Sequence, residues 1–217
     1  EEAAESGQSF LEKNKTLLIG GGVVVLAIIL FFVIQSRGAD TENLEAQVDM
    51  INPTIYYEQD SFDLSINGNG QFVGFNSLSD DYSGTKSGNL MKYYVGTAYL
   101  KIGNYDQAIL YLEEFNKGDN MVSAASLAAL AAAHEQKSDF SRAGELYEDA
   151  ARTPEENDFT TPYYLMHAGR NYESAGENDK ALALYEKIRN QYPLSEQAAD
   201  GSIDKYIAKL SPEDIDG

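Results

Sequence analysis

The stretch His167-Ala168-Gly169-Arg170-Asn171-Tyr172-Glu173-Ser174-Ala175-Gly176-Glu177-Asn178-Asp179-Lys180-Ala181 reads as a helix, a tight turn and the opening of a second helix. Gly169 is small and Tyr172 follows three residues later, one helical turn on along the same face. The second helix opens near Asn178 and Asp179 and carries Ala181. Two upstream stretches share this grammar. Tyr94 to Ala108 holds Gly96 and Tyr99 before Gly103-Asn104, and Leu130 to Ala143 holds Ala131 and His134 before Ser138-Asp139. The alanines Ala108, Ala143 and Ala181 lie 35 and 38 residues apart. One such segment would mean little, whereas three in register define a repeat.

The pattern resembles the tetratricopeptide repeat, a helix pair with a period of about 34 residues. Gly96, Ala131 and Gly169 fall where the first helix approaches its neighbour, and Tyr99, His134 and Tyr172 pack one turn later. The second helices supply Leu112 and Phe115, Tyr147 and Ala150, then Tyr185 and Ile188. Pro193, and Pro154 in the second repeat, stand near the repeat ends. The competing reading is an ordinary helical bundle. After the third repeat, Ser195 reads as an N-cap for a final helix with Ala199, Ile203, Tyr206 and Leu210 on one apolar face. Such a helix covers the otherwise open end of a repeat stack. The expected fold is therefore an all-α solenoid of about three repeats plus capping helices over residues 87–210, with a disordered tail at 211–217.

Thr16 to Ile34 reads TLLIGGGVVVLAIILFFVI, without a charge. As one helix it has the length of a bilayer core and no polar face to offer water. A cleavable signal peptide has a shorter apolar run and a small-residue cleavage site, whereas Gln35-Ser36-Arg37-Gly38 follows here. The expectation is a transmembrane helix at 16–34 behind a cytoplasmic segment at 1–15. Lys13 and Lys15 against Arg37 favour a cytoplasmic N-terminus. Gly20-Gly21-Gly22 suits close helix contact.

Residues 35–86 read as a juxtamembrane linker followed by N-terminal capping helices. Asn43 to Glu58 forms a helix carrying Leu44, Val48, Ile51 and Ile55, with Pro53 arguing for a kink. Asp60-Ser61 caps a short helix through Ile66, and Gln71 to Tyr82 forms another with Phe72, Phe75 and Leu78 along one side. The alternative at Asn67-Gly68 is a β-hairpin turn; helices are preferred, because no long alternating strand flanks it.

The formal net charge is −19, almost all of it beyond residue 34, which disfavours nucleic acid and anionic headgroups as partners. Without cysteine there is no disulfide framework, thiolate metal site, cysteine nucleophile or lipid-modified cysteine. His134 and His167 lack companions at metal-ligand spacing, and His134 occupies a packing position. Asp80-Asp81, Glu113-Glu114 and Glu155-Glu156 are sequence neighbours that do not face each other on a helix. No enzyme site, cofactor or metal is expected. Binding remains. Inward positions of the first helices give Leu90, Tyr93, Thr97 and Leu100, then Ala125, Ala128, Ala132 and Glu135, then Tyr163, Met166, Arg170 and Glu173. This aromatic and small surface suits an apolar or extended peptide. The other reading is that part of it packs on the N-terminal cap.

A membrane helix carrying a short acidic repeat domain resembles the YfgM-type ancillary subunit of the Sec translocon, in the version found in Bacteroidetes-type bacteria. The resemblance rests most on Tyr56-Tyr57-Glu58-Gln59-Asp60-Ser61-Phe62, Gly74-Phe75 and Asn89-Leu90-Met91-Lys92-Tyr93-Tyr94. It implies a bacterial inner-membrane protein with its repeats in the periplasm. The implied partners are SecYEG, a PpiD-type membrane-anchored chaperone and exported polypeptides. A structural adaptor in a secretion or cell-division complex is the alternative.

Overall fold

The computed structural model describes residues 38, 40–118, 120–153 and 157–211. The expected membrane span at 16–34, Pro154 and the chain after Ser211 lie outside the described residues. Among the described residues, no helix is long and apolar enough to cross a membrane.

Helix α1 covers 40–49, and α2 (Ile51–Glu58), α3 (Phe62–Asn67) and α4 (Phe75–Asp81) complete an N-terminal layer. Three antiparallel pairs follow: α5 (Lys86–Lys101) with α6 (Tyr105–Glu114), α7 (Asn120–Gln136) with α8 (Phe140–Arg152), and α9 (Thr160–Ser174) with α10 (Asn178–Gln191). Helix α11 (Ser202–Leu210) packs on α10. Each helix leans mainly on its sequence neighbours, as in a solenoid.

The turns inside the three pairs are the same object. Gly103, Ser138 and Gly176 adopt left-handed φ values of 79°, 61° and 77°. The next amide reaches back to the carbonyl five residues earlier, from Asn104 to Tyr99 (2.9 Å), Asp139 to His134 (2.9 Å) and Glu177 to Tyr172 (2.8 Å). The left-handed residue itself donates to Leu100, Glu135 or Glu173. This pair of bonds satisfies the last carbonyls of the first helix and reverses the chain.

Across each turn, the small residue of the first helix meets the second. A Cβ on Gly96 would stand 2.6 Å from Leu112 Cγ, and one on Gly169 would stand 2.5 Å from Tyr185 Cε1. Ala131 fills the equivalent place in the middle pair and is fully buried, as are Ala108, Ala143 and Ala181. The periodic small residues thus set the distance between helices, and Leu112, Leu130, Leu146, Tyr172, Tyr185 and Ile188 fill the core that results.

A second core joins the N-terminal layer to α5 through Ala46, Phe75, Leu78, Met91 and Val95. Phe75 stacks on Tyr94 with ring centroids 5.0 Å apart. The amide of Ser87 donates to Asn43 Oδ1 (2.9 Å), tying α1 to the start of α5. Met50 keeps helical φ and ψ between α1 and α2. Pro53, which has no N–H, is buried there.

Three expectations need correction. Leu44, Val48, Ile51 and Ile55 do not face the domain: they are exposed, and Ala46, Met50, Pro53 and Tyr57 turn inward instead. A helix does not start at Gln71. Gly68–Asn69 and Phe72–Val73 pair as a two-residue antiparallel hairpin. It is held by Asn69 Oδ1, which accepts from the Gln71 amide (2.9 Å), and by Phe72 stacked on Tyr56 (4.9 Å). Strands of two residues leave no alternation to read, so local side-chain bonds decide the matter. Finally, Ser195 does not cap the last helix. Its hydroxyl donates to the Tyr192 carbonyl (2.7 Å) in a buried turn, and α11 begins only after Gly201, whose φ is 72°. Ile203 and Ile207 then seal the end of the core, while Ala199 is exposed.

Candidate binding groove

The first helices of the repeats carry a band of rings. Tyr57 of α2 meets Tyr94 edge-on (5.1 Å), and Tyr94 meets Tyr93 (5.8 Å). On α9, Tyr163 contacts Tyr164 (5.5 Å) and His167 (4.6 Å), and His167 contacts Tyr147 of α8 (5.0 Å). Helix α7, between them, presents the small half-buried Ala125, Ala128 and Ala132. The Tyr93 hydroxyl is held protonated first by desolvation, then by its neighbours Tyr57, Tyr94 and Tyr164. The Tyr164 pKa is raised by desolvation and by Tyr163.

The expected inward residues divide into three groups. Tyr163 and Arg170 are exposed, and Leu90, Tyr93, Leu100 and Met166 are half-buried. Thr97 is not open: it is buried under Tyr57, whose hydroxyl donates to Thr97 Oγ1 (3.0 Å). The N-terminal layer therefore covers this end of the surface. Glu135 and Glu173 already have partners. Glu135 Oε2 accepts from Asn171 Nδ2 (3.2 Å) and the Tyr147 hydroxyl (3.5 Å), and Glu173 accepts from the Tyr185 hydroxyl (3.3 Å) and pairs with Lys209. Both carboxylates hold a first helix to the second helix of its own pair. They also reach the next helix of the stack, α9 or α11.

His167 loses basicity mainly to desolvation, which outweighs the attraction of Glu135, and Arg170 lowers its pKa further. It is a groove-wall ring and neutral at neutral pH. His134 Nδ1 meets Asp139 Oδ2 (3.0 Å), and its buried Nε2 has no hydrogen-bond partner among the described residues. No group of acidic and histidine side chains could hold a metal among the described residues.

The band opens at its α9 end into a recess of about 510 Å³ lined by Asp158, Phe159, Thr160, Tyr163, Leu194 and Gln197. Phe159 and Leu194 are 87% and 92% exposed at its mouth. Neither had been singled out in the sequence, because both stand in connections where no periodicity marks a face. The sequence marks Tyr147 as a packing residue and Tyr57 only within the Tyr56–Phe62 stretch, neither as part of the groove, for a related reason. They reach the groove from elements other than the first helices.

The tetratricopeptide repeat model matches residues 92–117 and 163–195. The first match takes in the later turns of α5 with α6, and the second takes in most of α9 with α10. Between them, α7 and α8 repeat the same turn and the same buried alanines. No curated protein and no solved structure is similar enough to this chain to match it. Tetratricopeptide helix pairs are protein-interaction surfaces, and the groove described above is lined with rings. The chain contains tetratricopeptide repeats and carries a protein-binding module built from them.

Proposed function

We propose that this module receives exported polypeptides at the bacterial inner membrane, beside SecYEG and together with a PpiD-type periplasmic chaperone. In this reading, residues 16–34 anchor the chain with its N-terminus in the cytoplasm and its repeats in the periplasm. The observation that carries the proposal is the aromatic band ending in an apolar recess at Phe159, Tyr163 and Leu194. Rings of this kind grip extended chains through apolar contact without reading a particular sequence. Tethering raises the local concentration of the groove, so weak contacts suffice. The charge of −19 keeps such a surface soluble despite its exposed apolar residues.

The test is purification of the full-length protein in mild detergent, with mass spectrometry of what accompanies it, alongside a Tyr163→Ala/Phe159→Ser variant. Both residues are exposed, so the circular dichroism of the variant should match the parent. SecY and a membrane-anchored chaperone should co-purify, and exported chains should be depleted in the variant. Recovery of another envelope complex without SecY above background would replace this reading with that of a structural adaptor.

A further inference from the structure

Helices α1 and α2 present two opposite faces. Ala46, Met50, Pro53 and Tyr57 turn toward the domain. Two residues earlier in each case stand Leu44, Val48, Ile51 and Ile55, and two residues at about 100° each place them on the far side of the helix. They are 62%, 64%, 53% and 43% exposed. Their spacing of four, three and four is that of a helix–helix seam, with Val48 and Ile55 at one core position and Leu44 and Ile51 at the other. The domain does not use this face.

Charge selects the occupant. Residues 40–85 contain nine Asp and Glu and no Lys, Arg or His. Glu45 and Asp49 line one flank of the seam, and Gln47 and Thr54 line the other, with Asp40 and Glu58 at its two ends. A second copy would bring the same carboxylates against these. On the acidic flank, a shallow pocket is walled by Thr41, Leu44, Glu45, Val48, Asp49 and Tyr82. The Tyr82 hydroxyl donates to Asp49 Oδ2 (2.6 Å) and orients that carboxylate. An apolar floor beside two carboxylates is the shape that takes a long cationic side chain, stem on Leu44 and Val48, head at Glu45 and Asp49.

We infer that α1 and α2 dock an amphipathic helix of another protein, whose apolar stripe meets Leu44, Val48, Ile51 and Ile55 and whose flanking Lys or Arg enters the pocket beside Glu45 and Asp49. This surface is separate from the aromatic groove and does not depend on what the groove binds.

The test titrates the full chain with two designed helical peptides of about three heptads. They share a Leu/Ile seam but carry Lys or Glu at the flanks, and binding is read by fluorescence anisotropy. The Lys peptide should bind and the Glu peptide should not. Val48→Ser/Ile51→Ser, which leaves the charge unchanged, should weaken binding by about tenfold or more. Glu45→Gln/Asp49→Asn should also weaken it and flatten its salt dependence. Equal binding by both peptides, or binding indifferent to Val48→Ser/Ile51→Ser, would overturn the inference. A dimer of the chain alone in sedimentation, abolished by the same serine pair, would overturn it in favour of a second copy. Groove substitutions at Tyr163 and Phe159 should leave peptide binding intact.

Discussion

Gly169→Ala tests whether close approach, rather than backbone freedom, explains the small residues of the repeat. An added Cβ would lie 2.5, 3.0 and 3.1 Å from Cε1, Cζ and Cδ1 of Tyr185. Ordinary carbon contact needs about 3.5 Å, so the ring would have to shift by roughly 1 Å. It has nowhere to go: Tyr185 is fully buried, meets Tyr206 at 5.2 Å and hydrogen-bonds Glu173. Overpacking of this kind costs about 1–3 kcal/mol. Alanine is favoured over glycine inside a helix by about 1 kcal/mol, which acts in the opposite direction. The expected net loss is about 1 kcal/mol, measured as a lower urea midpoint at unchanged m-value. Tyr185→Leu removes the two nearest ring atoms. In that background Gly169→Ala should stabilise by about 1 kcal/mol, leaving helix propensity alone. Stabilisation by Gly169→Ala in both backgrounds would refute the steric account.

Two further outcomes follow from the same contacts. Glu135→Ala should destabilise the domain by about 1–3 kcal/mol in urea unfolding, because it takes the acceptor from the Tyr147 hydroxyl and from one N–H of the buried Asn171 amide, whose other bond, to the His167 carbonyl, remains; an unchanged midpoint would make Glu135 a free groove residue. Desolvation holds the folded pKa of His167 below its ordinary value, so the unfolded chain takes up the proton first. Stability from this group is complete above about pH 6.5 and declines as the pH falls below it. His167→Phe should therefore reduce the fall in Tm between about pH 7 and pH 5, and an identical slope in parent and variant would sink the assignment.

The repeat grammar was legible because it records short-range geometry. Gly96 and Gly169 admit Leu112 and Tyr185 across a turn, and the matching alanines keep the paired helices close. Those constraints recur at fixed separations, so a single sequence displays them three times. Of the groove, Tyr93 and Tyr163 were legible from their inward positions in this frame. Glu135 and Glu173 occupy equally inward positions, yet their carboxylates are taken by Tyr147, Asn171 and Tyr185, partners that spacing along one helix does not reveal.

What the chain by itself determined is the helix-pair module, its turns and the all-α solenoid they build. Only the tertiary structure decided which side of α1 and α2 faces the domain. Both sides offer apolar residues at helical spacing, and burial against Phe75, Met91 and Val95 selects Ala46 and Met50 over Leu44 and Val48. The same long-range packing lays Tyr57 over Thr97, closes one end of the groove and leaves Phe159 and Leu194 open at the other. Periodicity states that a helix has an apolar face; which of two candidate faces is buried depends on contacts many residues away in the chain.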